Sequence, residues 1–383
     1  MLTVRAVRGT ALFLAAACIA VALGCEPAPS GRGPAATSIA GAAPTSLDTI
    51  PSLVILDTLQ DAEPKLLRPV GATVLSNGNL VVADQWAASV RFFDPSGELI
   101  RTVGREGQGP GEFTAPWWLG QCGPDEVFVY DFMQRQISVI DSAGTVVREY
   151  APGKDPSSLR CSQSGRFAVF GTPVDPPQSA SIRDAFTMRL AAPLRFENAE
   201  GDSVGGVGIL PMGETWILGR VTQFAISEDR LYVGAADSAR VDVYDLAGER
   251  LGSLPLTIEP RAPAEANVAW WLDVQSQSLK ADTEYRERMK QMTRQNSTVP
   301  EHLPLYTGLA VDPRGVLWVV LSSPGDGETR FLVVDPNGPV LGELRIPRDF
   351  ELFEVGSDYV LGRIYDPNAV PGIAMYRFRR AGS

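Results

Sequence analysis

The sequence has very little histidine and cysteine. Among its 383 residues there are one histidine, His302, and four cysteines. A histidine-rich zinc site, an HExxH metalloprotease and a cysteine-ligated iron–sulfur cluster all need more ligands than this composition supplies. A Ser-His-Asp triad could be built only around His302, which lies in a loop, so we expect no catalytic role for this residue.

Clustered positive charge is also missing. The formal net charge is −11, and the lysines and arginines do not gather in any one segment. A protein that binds duplex nucleic acid needs clustered basic side chains to displace counterions from the phosphates. We therefore expect no nucleic-acid partner.

The N-terminal region contains one long apolar run, at residues 10–23, preceded by Arg5 and Arg8. The run is too short for a comfortable membrane span, and together with the arginines it predicts a signal peptide over residues 1–24. Residues 22–25, Ala-Leu-Gly-Cys, resemble the lipobox of bacterial lipoproteins, which implies a lipid on Cys25 and a membrane partner through it. The alternative is ordinary secretory cleavage with Cys25 unmodified.

The segment that follows, residues 25–52, is rich in Pro, Ala, Gly, Ser and Thr. This composition buries little and behaves as a flexible spacer. The N-terminal region thus predicts an exported, lipid-anchored protein of the cell envelope, on the outer membrane or facing the periplasm.

Turn-forming residues are abundant, with 37 glycines and 30 prolines, and much of this content repeats. Four Asp-x-x-Gly tetrads, at residues 94–97, 141–144, 245–248 and 335–338, lie between short β-branched or aromatic runs. Aspartate and glycine at these positions favour type I turns between strands. Several strands per period of roughly 40–50 residues are typical of a β-propeller.

Two weaker copies of the repeat begin at Ser158 and Glu351, and residues 53–57 form an apolar strand that can close the ring. We therefore predict an all-β fold, a six-bladed β-propeller over residues 53–380. Five or seven blades are the alternatives.

The glycine-rich segment at residues 104–113, and the cadence of a strand, an aspartate and a turn, resemble NHL-type repeats and bacterial six-bladed β-propeller lipoproteins. Residues 358–378 resemble the closing blade of such proteins. In propellers with lactonase or related hydrolase activity, acidic side chains ring a calcium ion, because hard cations prefer oxygen ligands. The resemblance implies Asp84, Asp131 and Asp237 as candidate calcium ligands, or else as ordinary turn-forming residues.

Residues 259–303 interrupt the repeat with helical periodicity, and we predict helices over residues 263–279 and 283–294. This insertion can pack on the outside or a face of a blade, cover the central channel, or present Trp270 and Trp271 to a partner or membrane. Trp117 and Trp118 can likewise line a groove for carbohydrate or peptide, or pack between blades.

Cys122 and Cys161 fall at nearly equivalent positions of successive blades when the repeats are aligned. Since export permits disulfides, we predict a structural bond between them, with two buried thiols as the alternative.

For function we expect a non-enzymatic binding or scaffold module for a protein, peptide or sugar, with no cofactor. The alternative is a calcium-dependent hydrolase or lactonase with its site in the central channel.

Overall fold

The structure is a computed structural model that describes residues 46–55, 66–153, 155–174, 185–277, 279–321, 325–365 and 370–379. The predicted signal peptide and Cys25 lie outside these residues. In the described part of the chain, no helix is both long and apolar enough to cross a membrane.

The first three blades are four-stranded antiparallel sheets whose strands follow one another along the chain. Blade 1 contains β2 (Pro69–Val74), β3 (Leu80–Asp84), β4 (Ser89–Phe93) and β5 (Leu99–Val103). Blade 2 contains β6 (Pro116–Gly123), β7 (Glu126–Asp131), β8 (Gln136–Ile140) and β9 (Val146–Tyr150). Blade 3 contains β10 (Ser158–Cys161), β11 (Phe167–Phe170), β12 (Arg189–Glu197) and β13 (Ser203–Glu214).

The last three blades follow the same order, except for their closure. Blade 4 contains β14 (Gln223–Ile226), β15 (Arg230–Gly234), β16 (Arg240–Asp245) and β17 (Arg250–Pro255). Blade 5 contains β18 (Gly308–Val311), β19 (Leu317–Val320), β20 (Thr329–Val334) and β21 (Val340–Ile346). Blade 6 contains β22 (Phe350–Val355), β23 (Tyr359–Tyr365), β24 (Pro371–Arg379) and β1 (Ser46–Ile55). The structure therefore confirms a six-bladed β-propeller.

The N-terminal strand β1 supplies the outer strand of blade 6. It pairs antiparallel with β24 from Asp48 opposite Arg379 to Ile55 opposite Ile373. Its first residues also pair in parallel with β21, which joins blades 5 and 6 into one eight-stranded sheet. β1 includes residues 46–52, which the composition assigned to the linker. Pairing the two chain ends in one blade covers an edge that would otherwise be open.

The Asp-x-x-Gly tetrads form the predicted turns between the third and fourth strands of their blades. The amide of Gly97 donates to the carbonyl of Asp94 at 2.9 Å, while the Asp94 carboxylate accepts the amides of Ser96 and Glu98. The closing glycines have positive φ, for example 91° at Gly97. Glycine adopts this conformation without the steric cost of a Cβ.

Six apolar clusters fill the six interfaces between neighbouring blades. Phe128 of blade 2 meets Phe167 of blade 3 with ring centroids 5.5 Å apart, and Phe170 meets Phe224 of blade 4 at 5.2 Å. Since each blade packs only on its neighbours, the core is a ring around the central channel.

The first strand of each blade is its innermost strand, and these strands contact one another in the order β2, β6, β10, β14, β18, β22 and back to β2. They form the wall of the channel. Each blade's fourth strand leads to the first strand of the next blade at one end of the channel. We call this end the upper face.

The insertion between blades 4 and 5 forms two helices, α1 (Glu265–Gln277) and α2 (Thr283–Asn296), here called the hairpin. Asp282 caps α2, its carboxylate accepting the amide of Tyr285 at 2.8 Å. α1 begins at Glu265, two residues after the proline that was predicted to open it. The hairpin lies on the upper face, where the connection between blades 4 and 5 leaves the sheet.

Candidate functional site

The central channel holds a cavity of about 1080 Å³ that receives side chains from every blade and from the hairpin. One wall residue from each blade, in order, is Ala72, Leu119, Arg160, Ala225, Leu309 and Glu351. Small-molecule sites commonly have volumes of about 300–1,000 Å³. The channel is therefore large enough for a ligand of several rings or residues.

The hairpin covers the upper mouth of this channel. Trp270, Trp271, Val274 and Gln275 of α1 line the cavity together with the inner strands. Of the three placements considered for the insertion, the structure shows the cover over the channel rather than packing on the outside of a blade.

Contacts with several blades hold the hairpin across the mouth. Val268 and Leu272 pack with Ile217 and Leu218, in the connection between blades 3 and 4. Asn267 donates to Asp326 of blade 5 at 3.0 Å.

On the far side of the mouth, Trp270 meets Tyr365 of blade 6. The Arg286 guanidinium lies 5.6 Å from the ring centre of Trp86 of blade 1. The hairpin is thus anchored on both sides of the opening.

An ion pair lies below the hairpin on the wall of blade 6. Arg363 pairs with Glu351 and donates to the carbonyl of Pro69 at 2.8 Å. Burial disfavours the charged guanidinium, but Glu351 and Tyr365 outweigh it and leave the pKa of Arg363 raised. Burial and the neighbouring Arg363 together lower the pKa of Arg68 to about 10. Two arginines and one carboxylate therefore influence one another's ionisation beside this wall.

A half-buried carboxyl group, that of Glu354, lies further along β22, the strand that carries Glu351. It accepts hydrogen bonds from the hydroxyls of Thr73 and Tyr359 and from the amide of Val74. Burial raises the pKa of Glu354 although these hydrogen bonds oppose the shift. No arginine or lysine among the described residues forms an ion pair with it.

The wall of blade 3 carries Arg160. Its guanidinium donates to the carbonyl of Leu159 at 2.7 Å and lies 5.5 Å from the ring centre of Phe224. Burial lowers the pKa of Arg160, while Glu351 on the facing wall acts in the opposite direction. The channel thus has a cation on one side and an ion pair on the other.

Two of the three candidate calcium ligands accept backbone hydrogen bonds. Asp84 is fully buried, and its carboxylate accepts the amides of Leu67 and Arg68 at 2.8 and 2.9 Å. Asp131 accepts the amides of Thr114 and Ala115 in the equivalent place of blade 2. Each carboxylate therefore holds the chain as it enters the first strand of its blade.

The third candidate, Asp237, is exposed. Within the described ranges, no three or more His, Cys, Asp or Glu side chains lie together in a way that could hold a metal ion. The structure thus does not gather Asp84, Asp131 and Asp237 into one site. Asp84 also accepts the amide of Ala87, and Asp131 accepts those of Met133 and Gln134, in the turns that follow these strands.

The other predicted residues occupy structural or exposed positions. The sulfur atoms of Cys122 and Cys161 are joined in a disulfide between the inner strands of blades 2 and 3. His302 is exposed in the connection between α2 and β18. Trp118 lines the channel and also packs edge-on against Phe167, whereas Trp117 lies 45% exposed beside Phe132.

The sequence reasoning did not identify Arg160, Glu351, Glu354 and Arg363 as site residues. A signal was available for Arg160. The inner strand of a propeller blade has no solvent on its outer side, so a charged residue there must face the channel or a neighbouring blade. Residues 158–161, Ser-Leu-Arg-Cys, open one of the weaker repeat copies and so correspond to such a strand, in which Arg160 is the charged residue.

The comparisons with known proteins show the fold. No protein-family model matches the chain, and no curated protein matches it. A member of the DUF4221 family from Bacteroides vulgatus is similar in structure, with a TM-score of 0.52 and 12% identity over 88% of this chain and 99% of that one. A candidate exported protein from Bacteroides fragilis has a TM-score of 0.50 and 12% identity over 87% and 96%.

A calcium-binding protein, regucalcin from Agrobacterium tumefaciens, is less similar, with a TM-score of 0.43 and 11% identity over 88% of this chain and 97% of that one. A similarity at this level supports no inference about calcium or activity.

Proposed function

We propose that this chain is an exported, lipid-anchored β-propeller that binds a peptide or a sugar in its central channel, beneath the hairpin. The main support for this proposal is the position of α1 over the channel. Its Trp270, Trp271 and Gln275 line the cavity. Aromatic faces and amide groups combine the apolar surface and the few polar contacts that ligand sites use.

Three observations support export. The predicted signal peptide and lipobox direct the chain out of the cytoplasm, and one structural neighbour is itself named as a candidate exported protein. The disulfide between Cys122 and Cys161 suits an oxidising compartment. In this proposal the lipid on Cys25 and the spacer after it hold the propeller near a membrane.

The positions of the three candidate calcium ligands favour binding over hydrolysis. A calcium-dependent hydrolase needs several oxygen ligands around one point. Asp84 and Asp131 instead accept backbone amides, and Asp237 is exposed. The channel nevertheless has the volume and the aromatic lining that binding needs.

The test is a thermal-shift screen of neutral and acidic oligosaccharides and short peptides, followed by calorimetric titration of any that stabilise the protein. A ligand present at one hundred times its Kd raises the free energy of unfolding by about 2.7 kcal/mol, which is readily measured. The Trp270→Ala variant should lose binding.

Trp117→Ala is the matched control, since Trp117 lies in blade 2, is exposed and does not line the cavity. Equal loss of binding in both variants, or no binding of either ligand class to the wild type, would refute the proposal.

A further inference from the structure

Arg160 differs from the other arginines of the channel wall in its electrostatic partners. Arg363 pairs with Glu351, and Arg314 lies 3.5 Å from a carboxylate oxygen of Asp312. In the described ranges, no Asp or Glu oxygen is placed within 4 Å of the Arg160 guanidinium. Arg160 is thus a lining cation without a carboxylate partner there.

The local contacts of Arg160 leave part of its hydrogen-bonding capacity unused. A guanidinium has five N–H donors, and the structure assigns one nitrogen, Nη1, to the carbonyl of Leu159. The ring of Phe224 supports the cation but accepts no ordinary hydrogen bond. Burial lowers the pKa of Arg160 because the charged guanidinium loses favourable contact with water. An anion bound in the channel would compensate for this loss of hydration.

The remaining charges of the wall restrict the kind of anion. Carboxylates outnumber arginines among the lining residues even without Asp349 and Glu354, whose pKa values burial raises: Glu228, Asp229, Asp312 and Glu351 against Arg160, Arg314 and Arg363. A doubly charged phosphate would be repelled by these groups. One carboxylate has a single charge, and its planar geometry matches the two-pronged guanidinium.

We propose that Arg160 binds the carboxylate of the channel ligand, so that the site selects acidic sugars or peptides with a free C-terminus. This inference rests on the proposed binding function and names its ligand class. The rest of the ligand extends toward Glu351 and Gln275, which offer acceptors and donors to hydroxyl or amide groups.

The experiment compares matched ligands that differ only in the charge. A disaccharide that carries a single uronic acid is titrated against its methyl ester, and a peptide acid is titrated against its C-terminal amide, by calorimetry with the full chain. We expect the acid of at least one pair to bind tenfold or more tightly than its neutral partner. The pair in which the acid binds more tightly shows whether the carboxylate belongs to a sugar or to a peptide.

Three variants connect that preference to Arg160. Arg160→Gln should weaken binding of the acid tenfold or more and leave the neutral partner unchanged, while Arg160→Lys should retain part of the preference. Arg135→Gln is the control, since Arg135 is exposed and does not line the cavity, and it should change affinity less than twofold. The unliganded Arg160→Gln protein should melt at or above the wild-type temperature, since the substitution removes a partly desolvated charge.

The outcomes separate the two proposals. A neutral ligand that binds as tightly as its acid, or an acid preference that survives Arg160→Gln, overturns the assignment to Arg160 but leaves channel binding intact. Tighter, Arg160-dependent binding of a phosphorylated sugar overturns the carboxylate assignment. Failure of every acid and neutral probe to bind overturns the proposed function together with this inference.

Discussion

Trp270 of α1 meets Tyr365 at the end of β23 edge-to-face, with ring centroids 6.1 Å apart and an interplanar angle of 88°. This contact joins the hairpin to the blade that β1 completes. It lies across the channel mouth from Ile217 and Leu218, on which the other side of α1 packs. The cover over the channel is therefore held at two separated points.

A double-mutant cycle on Trp270 and Tyr365 measures this contact. Edge-to-face aromatic pairs contribute about 0.5–1.5 kcal/mol beyond the area they bury. The free energies of unfolding of Trp270→Ala, Tyr365→Ala and the double variant should give a coupling energy in that range. Strictly additive losses, within about 0.3 kcal/mol, would show that the rings do not stabilise each other.

Asp131 should be a structural residue. In the Asp131→Asn variant, the side-chain NH₂ group replaces one of the carboxylate oxygens that accept backbone amides. Each buried donor left without an acceptor lowers the free energy of unfolding by about 1–3 kcal/mol. Urea denaturation should show this loss equally in EDTA and in calcium chloride. The exposed Asp237→Asn variant should stay within about 0.5 kcal/mol of the wild type. A stability loss that appears only when calcium is present would instead favour a metal site.

The disulfide should contribute substantially to stability. Cys122 and Cys161 are separated by 39 positions in the sequence, and closing a loop of that length stabilises the folded state by about 3–4 kcal/mol. Cys122→Ala/Cys161→Ala should lose this amount in urea denaturation. A reductant should shift the wild type toward the double variant and leave the variant unchanged. If the wild type keeps its full stability in reductant, the bond is not needed for the fold.

Removing residues 46–55 should open blade 6. β1 pairs with β24 over most of its length, and each backbone hydrogen bond contributes about 1 kcal/mol net. We expect a loss of several kcal/mol and the formation of oligomers through the exposed edge of β24. A variant that begins at residue 46 is the control. Size-exclusion chromatography and thermal melting distinguish the two, and identical behaviour would mean that β1 is dispensable.

Glu354 should make stability depend on pH. Because burial raises its folded-state pKa above the ordinary 4.5, the folded protein binds this proton more tightly than the unfolded chain. The resulting stabilisation is full below about pH 4.5 and is lost as the pH rises through the folded-state pKa.

Glu354→Gln stays neutral and keeps acceptors for Thr73 and Tyr359. The melting temperature of the variant relative to the wild type should therefore rise between pH 4 and pH 8. A constant difference across this range would show that Glu354 titrates normally.

The fold was largely predictable because its signals are local. Asp94 and Gly97 define a turn within four residues, and the same pattern recurs in blades 2, 4 and 5. The beginning of β1 at Ser46 was less predictable, since its pairing with β24 depends on the far end of the chain. Composition alone made that segment resemble a spacer.

The site was less predictable because it depends on the ring. Asp84 and Asp131 share a place in the repeat, but their backbone partners are visible only in the folded blades. Arg160 and Glu351 are far apart in the sequence and face each other because blades 3 and 6 are opposite in a ring of six. No local sequence pattern indicates that these two residues lie opposite each other.

The most direct test is a crystal structure of the protein with the tightest-binding acidic ligand. We expect the ligand in the channel below α1, with its carboxylate within hydrogen-bonding distance of the Arg160 guanidinium and an aromatic face of Trp270 or Trp271 against its body. A ligand bound on the outer edge of the blades, or in the channel with its carboxylate directed away from Arg160, would refute the assignment of this site.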